Sequence, residues 1–395
     1  MIAPLPSVCV SGMGIACAAG LDSQTVWHTL CAGTQHRVAA TILHKDALDY
    51  PFFAVPDSVF GSGRRFSAHD TLQLSIVAAE QALKQAHILP QQQGAMHVVM
   101  GTTAGSALHF LAGYTAMREK KAGIYPDVEE YFTSNLALSL AQRYSMHGTA
   151  LTIANACTSG ADALGLAADM IAQGECKQVL CGGADALSLV PHTGFARLMI
   201  YSKTACRPFD AERQGLNLGE GAGMLILEET EHALARGVRP LGYIAGYGAA
   251  SDAHHFTAPH PQARGLQKAV ALALHNAGIT AEDIAFINAH GTATQENDKV
   301  EGNFFMQHFA HKPVWGSKSC TGHTLGAAGA LEAIFCLLAL QKGSVPATHG
   351  FANPDPQIKL CPTQKNTAIH SSYALSTSLG FGGGNAALIL AGAQL

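Results

Sequence analysis

The chain has 395 residues, a formal net charge of −4 and only 13% charged side chains. This length suits two domains or one large two-part α/β body, and the composition excludes a disordered or fibrous protein. The charge balance gives no indication of nucleic acid or a membrane surface as a partner. The ten cysteines include no CxxC pair. They predict no metal site and no disulfide framework, and they favour reduced thiols in the cytoplasm.

The first predicted element is a core strand over Val8–Gly14 that ends in a glycine turn. Residues 1–21 carry no charged side chain. Proline and glycine interrupt this run at Pro4, Pro6, Gly12, Gly14 and Gly20. We therefore expect neither a signal peptide nor a membrane span here, and no later stretch is predicted to span a bilayer.

Helical and strand patterns alternate along the chain and indicate an α/β layered architecture. Helices are predicted over Ala68–Gln85, Asn135–Arg143, Ala161–Gln173 and Leu266–Ala277. Strands are predicted over Val98–Met100, Val179–Cys181, Gly223–Leu227, Val314–Trp315 and Ala386–Leu390.

The charged passage Glu231–Pro240 is the predicted seam between two halves. A second strand with a glycine turn, Leu241–Gly248, follows it and is similar to the first. We therefore divide the chain into an N-terminal half, 1–238, and a C-terminal half, 239–395.

Cys157 lies where a predicted buried strand, Ala150–Ile153, turns into a helix. A thiol at a helix N-terminus is expected to lose its proton more easily and to become a nucleophile. The alternative is a structural core cysteine.

The two halves share a short pattern. In each half the end of an apolar strand is followed by Asn-Ala and then by a side chain that can take part in catalysis. The two segments are Ile153–Cys157 and Phe286–His290. The match indicates either an ancient duplication or a coincidence in an alanine-rich chain.

Three more segments have motif character. In Asn288–Thr294 a histidine is followed by glycine and two hydroxyls, with Asp298 and Glu301 further on. Gly316–His323 runs into a helix start rich in small residues, and Ser378–Asn385 is a glycine loop that can offer backbone N–H groups to a ligand. No Walker lysine or ribose-binding acid accompanies this loop, so nucleotide binding is not predicted.

Together these segments resemble the β-ketoacyl-acyl carrier protein synthases, the type I/II condensing enzymes with a Cys-His-His active site. The resemblance is carried by Asn155–Gly160, Arg207–Asp210, Gly219–Gly223, Asn288–Thr292, Lys318–His323 and Gly380–Gly383. It implies the thiolase fold, with two duplicated halves in a five-layered αβαβα body that is usually a dimer.

The resemblance also implies the reaction, a decarboxylative Claisen condensation. An acyl chain on Cys157 would be joined to malonyl-acyl carrier protein, while His290 and His323 hold the charge of the enolate. The N–H groups of Cys157 and Phe381 would form the oxyanion hole, and Phe381 would act as the gate. Phosphopantetheine would arrive on the carrier protein, so no bound cofactor is expected.

Further roles follow from the resemblance alone. Lys318 would pair with Glu301, with Asp298 also nearby, and Thr292 and Thr294 would bind the pantetheine amides. Arg64, Arg65 and Arg197 are candidates for carrier docking, with ordinary solvated arginines as the alternative.

Three departures from the fatty-acid enzymes leave the pathway open. Leu216 replaces a pocket aromatic, the connection Ser202–Arg207 is short, and Ile124–Phe132 lacks the usual pattern. The alternative is a ketosynthase of a type II polyketide or aryl polyene pathway, as a homodimer or as a heterodimer with a chain-length-factor-like homologue. A non-catalytic chain-length partner is disfavoured because Cys157 and both histidines are present.

Overall fold

The structure, a computed structural model, describes residues 7–39, 41, 49–61, 69–105, 118–119 and 135–394. The strands are β1 (Val8–Cys17), β2 (Arg37–Val38), β3 (Phe52–Phe53), β4 (His97–Gly101), β5 (Ala150–Ile153), β6 (Gln178–Asp185), β7 (Gly221–Glu229), β8 (Gly242–Ser251), β9 (Ile284–Asn288), β10 (Val314–Trp315), β11 (Ser344–Val345), β12 (Thr367–Ala368), β13 (Tyr373–Leu379) and β14 (Gly384–Gly392). The helices are α1 (Ser23–Ala32), α2 (Asp70–Gln85), α3 (Leu136–Arg143), α4 (Ser159–Ala172), α5 (Leu189–Arg197), α6 (Thr230–Ala235), α7 (Arg264–Ala277), α8 (Gln295–His308), α9 (Lys318–Thr321) and α10 (Ala328–Lys342). Each predicted helix and strand therefore exists, with ends shifted by a few residues.

The main sheet runs in the order β10-β9-β13-β14-β8-β1-β7-β6-β4-β5. Its two halves meet antiparallel at β1 and β8. Outward from this junction each half adds two antiparallel neighbours, β7 and β6 on one side and β14 and β13 on the other. Two parallel strands complete each half, β4 and β5 or β9 and β10. The same order on both sides confirms the predicted duplication.

Glycines in the two central strands mark close helix packing. The predicted glycine turns are wrong, because β1 continues through Gly14 and β8 continues through Gly248. A Cβ at Gly14 would lie 1.8 Å from the carbonyl oxygen of Ala78 on α2. A Cβ at Gly248 would lie 2.2 Å from the carbonyl oxygen of Ala269 on α7. Glycine at these strand positions lets the covering helix approach the sheet.

Helices α4 and α10 form the middle layer of the molecule. They pack on each other and on strands of both halves within one apolar core. A second core joins α2 and α3 to the N-terminal strands, and a third joins α7 and α8 to the C-terminal strands. The two halves of the main sheet form separate layers on either side of α4 and α10. The layers are therefore helix, sheet, helix, sheet, helix, as the αβαβα prediction requires.

The sheet order corrects the pairing of Cys157 with His290. Cys157 follows β5, whose counterpart in the other half is β10, whereas His290 follows β9, whose counterpart is β4. The two residues are not at equivalent strand ends. The Asn-Ala match is therefore a coincidence within a true duplication.

Strand β5 was predicted to be buried, and this is wrong. It lies at the edge of the main sheet and pairs only with β4 among the described strands. Leu151 is 40% exposed, and the following Ala154 and Asn155 are exposed as well. A short apolar run looks the same in sequence at an edge and in the centre.

Within the part of the chain that the structure describes, one stretch, Leu325–Lys342, is long and apolar enough to cross a membrane by length and composition, although no such stretch was expected. In the structure 83% of this window is buried inside the protein. It contains α10, the central core helix, and a core helix passes the same test of composition.

Candidate active site

A cavity of about 260 Å³ lies beside the start of α4, and its wall includes Cys157, His290 and His323. The Sγ atom of Cys157 is 3.0 Å from Nε2 of His323. The rings of His290 and His323 meet edge to face, with centroids 5.1 Å apart. The structure therefore brings the predicted Cys-His-His set together in one buried site.

A strained turn presents Cys157 to the cavity. The residue before it, Ala156, has φ 49°, a left-handed conformation that costs a non-glycine residue about 1–2 kcal/mol. The N–H of Asn155 donates to Oγ of Ser159 at 2.8 Å. Asp162 accepts hydrogen bonds from Nδ2 of Asn155 and Oγ1 of Thr158 at 2.8 and 2.7 Å. These bonds hold the turn between β5 and α4 in its strained shape.

The structure contradicts the prediction that the thiol of Cys157 loses its proton easily. Burial raises the pKa of Cys157 to about 12, although the Lys318 ammonium and the N–H of Phe381 act in the opposite direction. Desolvation of the thiolate therefore outweighs the stabilisation that Lys318 and the Phe381 N–H give it. The thiol is protonated at neutral pH, and a base must take its proton when it reacts. Nε2 of His323 is in place to do so.

Glu301 holds the backbone of the loop that carries His290. This buried carboxylate on α8 accepts the N–H groups of His290 and Gly291 at 2.7 and 2.8 Å, and the hydroxyl of Thr377 at 2.7 Å. Burial raises the pKa of Glu301 to about 7, while these hydrogen bonds lower it. Glu301 thus positions His290 through the main chain.

The predicted ion pair between Lys318 and Glu301 is wrong, because Lys318 pairs with Glu332. Its Nζ lies 2.5 Å from Oε1 of Glu332, and both side chains are almost fully buried. The pair is needed because a buried ammonium without a counter-ion is strongly unfavourable. Glu301 is occupied instead by the N–H groups of the His290 loop.

Lys318 also sets the hydrogen-bonding state of His290. Its Nζ lies 3.3 Å from Nδ1 of His290. An ammonium can only donate, so Nδ1 accepts and Nε2 carries the ring proton. Burial lowers the pKa of His290 well below its usual value, and Lys318 and His323 lower it further. Burial and Lys318 do the same to the pKa of His323. Both imidazoles are therefore neutral near pH 7.

Two hydroxyls line the cavity beyond the histidines. Oγ1 of Thr292 and Oγ1 of Thr294 are 2.9 Å apart, and both residues form part of the wall. Between them Ala293 has φ 64°, and its N–H donates to Asp298 at 3.1 Å. Burial raises the pKa of Asp298 to about 6, against the effects of Phe209 N–H and Arg213.

The glycine loop closes one side of the cavity with Phe381. Its ring stacks on Phe195, with centroids 5.3 Å apart and an angle of 22°. Its backbone N–H faces the sulfur of Cys157 closely enough to lower the pKa of that thiol. The next two residues, Gly382 and Gly383, have φ 89° and 85°, which only glycine adopts without strain. The loop thus places one N–H donor at the thiol.

Comparison with known proteins agrees with this geometry. Residues 6–233 match the model of the family described as "Beta-ketoacyl synthase, N-terminal domain", and residues 241–352 match "Beta-ketoacyl synthase, C-terminal domain". The chain belongs to the β-ketoacyl synthase family. It is accordingly a condensing enzyme of the acyltransferase class.

Curated relatives of this β-ketoacyl synthase align along most of its length. Nodulation protein E of Rhizobium meliloti (strain 1021) is 32% identical over 404 residues, which cover 96% of this chain and 98% of that protein. The 3-oxoacyl-[acyl-carrier-protein] synthase 2 of Synechocystis sp. is 36% identical over 331 residues, covering 80% and 79%.

Solved structures of similar proteins share the fold. The ishigamide ketosynthase/chain length factor superposes with a TM-score of 0.89 at 31% identity, covering 98% of this chain and 100% of that one. AntDE:AntF, a type II PKS acyl-carrier protein in complex with its ketosynthase bound to the hexaketide, gives 0.87 at 26% identity with the same coverage. The thiolase fold expected from the sequence is confirmed.

The structure sorts the predicted site residues into groups. Residues that line the cavity are Cys157, His290, His323, Thr292, Thr294, Phe381 and Leu216, whereas Lys318, Asp298 and Glu301 lie behind its wall. Arg197 ends α5 and is exposed, next to the lining residues Leu198 and Met199. Arg64, Arg65 and the segment Ile124–Phe132 lie outside the described residues.

Two residues of the site were missed in the sequence. Glu332 is the one charged residue in the apolar run from Ala327 to Leu340. A lone charge in a buried helix requires a partner, and that signal could have identified it. Phe195, which stacks on Phe381, gave no such signal, because an aromatic residue on a helix is most often part of the core.

The site also offers three donor atoms to a metal. The ligand atoms of Cys157, His290 and His323 lie within 4.8 Å of one another, and a thiolate with two imidazoles suits zinc. The ammonium of Lys318 opposes this, because it repels a dication and keeps the proton on Nε2 of His290. The arrangement is better suited to hydrogen-bond donation than to metal binding.

Because burial raises the pKa of Cys157 to about 12, its reactive thiolate should become more abundant throughout the range from pH 6.5 to 9. We expect the rate of Cys157 alkylation by iodoacetamide, followed by peptide mass spectrometry, to rise about tenfold per pH unit without a plateau. Cys157→Ala reports the background from other cysteines such as the exposed Cys361. A plateau below pH 8 would contradict the raised pKa of Cys157.

Proposed function

We propose that this enzyme condenses malonyl-acyl carrier protein with an acyl group held on Cys157, giving β-ketoacyl-acyl carrier protein. The observation that carries the proposal is the contact between Cys157 Sγ and His323 Nε2 at 3.0 Å, with His290 in the same cavity. A nucleophile, a neutral base and a second neutral donor are the groups that acyl transfer followed by enolate formation requires.

The first half-reaction loads the enzyme. The sulfur of Cys157 attacks the thioester carbonyl of an acyl-carrier protein while His323 takes the thiol proton. The oxyanion forms within reach of the Phe381 N–H, which lies close enough to this sulfur to lower the pKa of the thiol. The intermediate collapses by expelling the pantetheine sulfur, which receives the proton from His323. The acyl chain is then a thioester of Cys157.

The second half-reaction forms the carbon–carbon bond. Nε2–H of His290, fixed by the contact of Lys318 with Nδ1, donates to the malonyl thioester oxygen. Once Cys157 is acylated it has no proton to give to His323, and the neutral ring supplies a second donor in the tautomer that carries the proton on Nε2. Loss of carbon dioxide leaves its electron pair in the enolate, whose carbon attacks the acyl carbonyl on Cys157. Collapse of the second oxyanion expels the cysteine sulfur as a thiolate, which takes up from water the one proton that the overall condensation consumes.

The reaction needs no bound cofactor or metal in this scheme. The pantetheine arm would enter along the wall that carries Thr292 and Thr294, whose hydroxyls suit the amides of the arm. All ten cysteines are free, which supports a reducing compartment, and we therefore assign the enzyme to the cytoplasm.

Carrier docking is proposed at the cavity mouth. Arg197 is exposed there and can meet an acidic carrier, beside the exposed apolar side chains of Leu198 and Met199, which are 43% and 86% exposed. A basic residue next to an apolar rim suits a small acidic protein that delivers an acyl chain.

The reaction belongs to fatty acid or polyketide biosynthesis. The type II polyketide or polyene alternative is favoured by Leu216, which lines the cavity where the fatty-acid enzymes carry an aromatic residue. A smaller side chain widens the acyl pocket next to Phe195 and Phe381. A non-catalytic chain-length partner is disfavoured, because Cys157 is present and within hydrogen-bond distance of His323.

We propose that a second chain pairs along β5, either a copy of this one or a chain-length-factor-like homologue. The strand is an edge with half-exposed apolar side chains, and it leads directly into Ala154, Asn155 and the Cys157 turn. An edge of this kind is a template for another strand. The ishigamide protein is such a ketosynthase/chain length factor pair.

Cys157→Ala should abolish acyl-enzyme formation and condensation. His290→Ala should keep acylation within about threefold and reduce condensation by at least about 100-fold, since the donor acts only on the enolate. Mass spectrometry of the acyl-enzyme and product assay separate the two steps. The control Cys181→Ala removes a buried cysteine outside the cavity wall. Unchanged turnover in Cys157→Ala would refute the assigned nucleophile.

Saturated and polyunsaturated acyl-carrier proteins of equal length should distinguish the two pathways. If the enzyme acts in a polyketide or polyene pathway, its kcat/KM should be higher for the unsaturated chain. Leu216→Phe should reduce that preference because the larger side chain narrows the pocket. If the enzyme elongates only saturated chains, the polyketide or polyene pathway is excluded and fatty acid synthesis is the remaining function.

Leu151→Arg should weaken pairing along β5, because an arginine on an edge strand opposes association. Native mass spectrometry of the 41.2 kDa chain, isolated from its host, should show a dimer or a complex with a homologous chain, lost in the variant. Leu272→Arg, at a similarly exposed leucine on α7, should leave assembly intact. A wild-type monomer, or a variant that still assembles, contradicts the proposal.

A further inference from the structure

A buried arginine lies directly behind the wall that carries the two threonine hydroxyls. Arg213 has a side chain only 2% exposed and does not itself line the cavity. The three residues after it, 214–216, do line the cavity. Contacts made by the Arg213 guanidinium therefore connect this part of the wall to other segments of the protein.

The guanidinium binds a second segment of the cavity wall. Nε lies 3.4 Å from the carbonyl oxygen of Thr294, and Nη2 lies 3.2 Å from that of Gln295. In return, Nε2 of Gln295 donates to the carbonyl oxygen of Arg213 at 2.7 Å. Thr294 and Gln295 both line the cavity. The contact is therefore reciprocal and joins two lining segments.

Two further partners fix the guanidinium itself. Nη1 donates to Oδ2 of Asp355 at 2.6 Å and to the carbonyl oxygen of Asp210 at 2.9 Å. The planar fork of arginine can serve all of these acceptors at once, which a lysine ammonium on a flexible stem cannot do. Removing it would leave several buried acceptors without a donor.

Arg213 also supports the carboxylate that shapes the threonine loop. Its Nε is 4.0 Å from Oδ2 of Asp298. Asp298 accepts the N–H groups of Phe209 and Ala293 at 2.6 and 3.1 Å, and both of these residues have φ 64°. Left-handed backbone at non-glycine residues is maintained only where the surroundings hold it. Ala293 is the residue between the two threonines.

We infer that Arg213 is a positioning residue for recognition of the pantetheine arm. Through Asp298 and the carbonyls of Thr294 and Gln295 it fixes the loop conformation in which Thr292 and Thr294 present their hydroxyls to the cavity. This inference rests on the proposed function, since it assigns a wall residue to the thioester arm of that same reaction. Arg213 would thus contribute to specificity for the pantetheine arm without touching the substrate.

The test compares two acyl donors that differ in the arm alone. Hexanoyl-pantetheine carries the amides, whereas S-ethyl thiohexanoate lacks them. We expect Arg213→Lys to slow acylation of Cys157 by hexanoyl-pantetheine about tenfold and acylation by the ethyl thioester by less than about twofold. Mass spectrometry of the intact protein follows both reactions. A merely structural role would slow both donors equally.

A double-mutant cycle identifies the groups through which Arg213 acts. In a background of Thr292→Val and Thr294→Val, the effect of Arg213→Lys on the pantetheine donor should fall to within about twofold. Arg236→Lys is the matched control. Arg236 is a largely buried arginine, paired with Glu228 and bonded to the carbonyl oxygen of Ala86, outside the cavity wall. It should leave the ratio of the two donors unchanged.

A second variant covers the case in which Arg213→Lys does not fold. Asp355→Asn keeps the arginine and removes the charge of its closest carboxylate, and it should reduce the pantetheine preference about threefold. The inference is wrong if Arg213→Lys slows acylation of Cys157 equally with both donors, or if it keeps its full effect on the pantetheine donor in the background of the two valine substitutions. If the wild type acylates Cys157 with neither donor, the proposed function fails and this inference with it.

Discussion

The active site depends on a backbone contact between the two central helices. A Cβ at Gly160, in the first turn of α4, would lie 2.6 Å from the carbonyl oxygen of Gly326. A Cβ at Gly329, in the first turn of α10, would lie 2.6 Å from the N atom of Ala161. The absence of side chains lets the two helix starts meet at the junction of the duplicated halves. That contact brings the Cys157 turn from one half against the His323 segment from the other.

The charged groups behind the cavity wall do not line the cavity, but together they hold the residues that do. Lys318 is neutralised by Glu332 and determines which nitrogen of His290 carries the proton. Glu301 and Asp298 accept backbone N–H groups of the histidine and threonine loops. Burying each of these charges is unfavourable by itself, and the cost is offset by an ion pair or by several hydrogen bonds. The result is a rigid frame around two neutral imidazoles.

The sequence predicted what depends on local motifs and missed what depends on contacts between distant segments. Cys157, His290 and His323 each lie in a short block whose residue types indicate chemistry. The choice between Glu301 and Glu332 as partner of Lys318 requires knowing how α8 and α10 pack. The glycines of β1 and β8 predict turns locally, yet their real cause is a helix on the neighbouring layer. The edge position of β5 likewise follows from sheet order alone.

The burial that makes Cys157 a weak acid also shapes how it works. A thiol of higher pKa gives a more nucleophilic thiolate once the proton is removed, but it needs a base at contact distance. His323 can serve because its own burial keeps it neutral. During loading the proton therefore passes from Cys157 through His323 to the departing pantetheine sulfur, and no free thiolate is exposed to oxidants between turnovers. The environment that holds both histidines neutral for the enolate thus also protects the nucleophile, which makes burial the common requirement of both half-reactions.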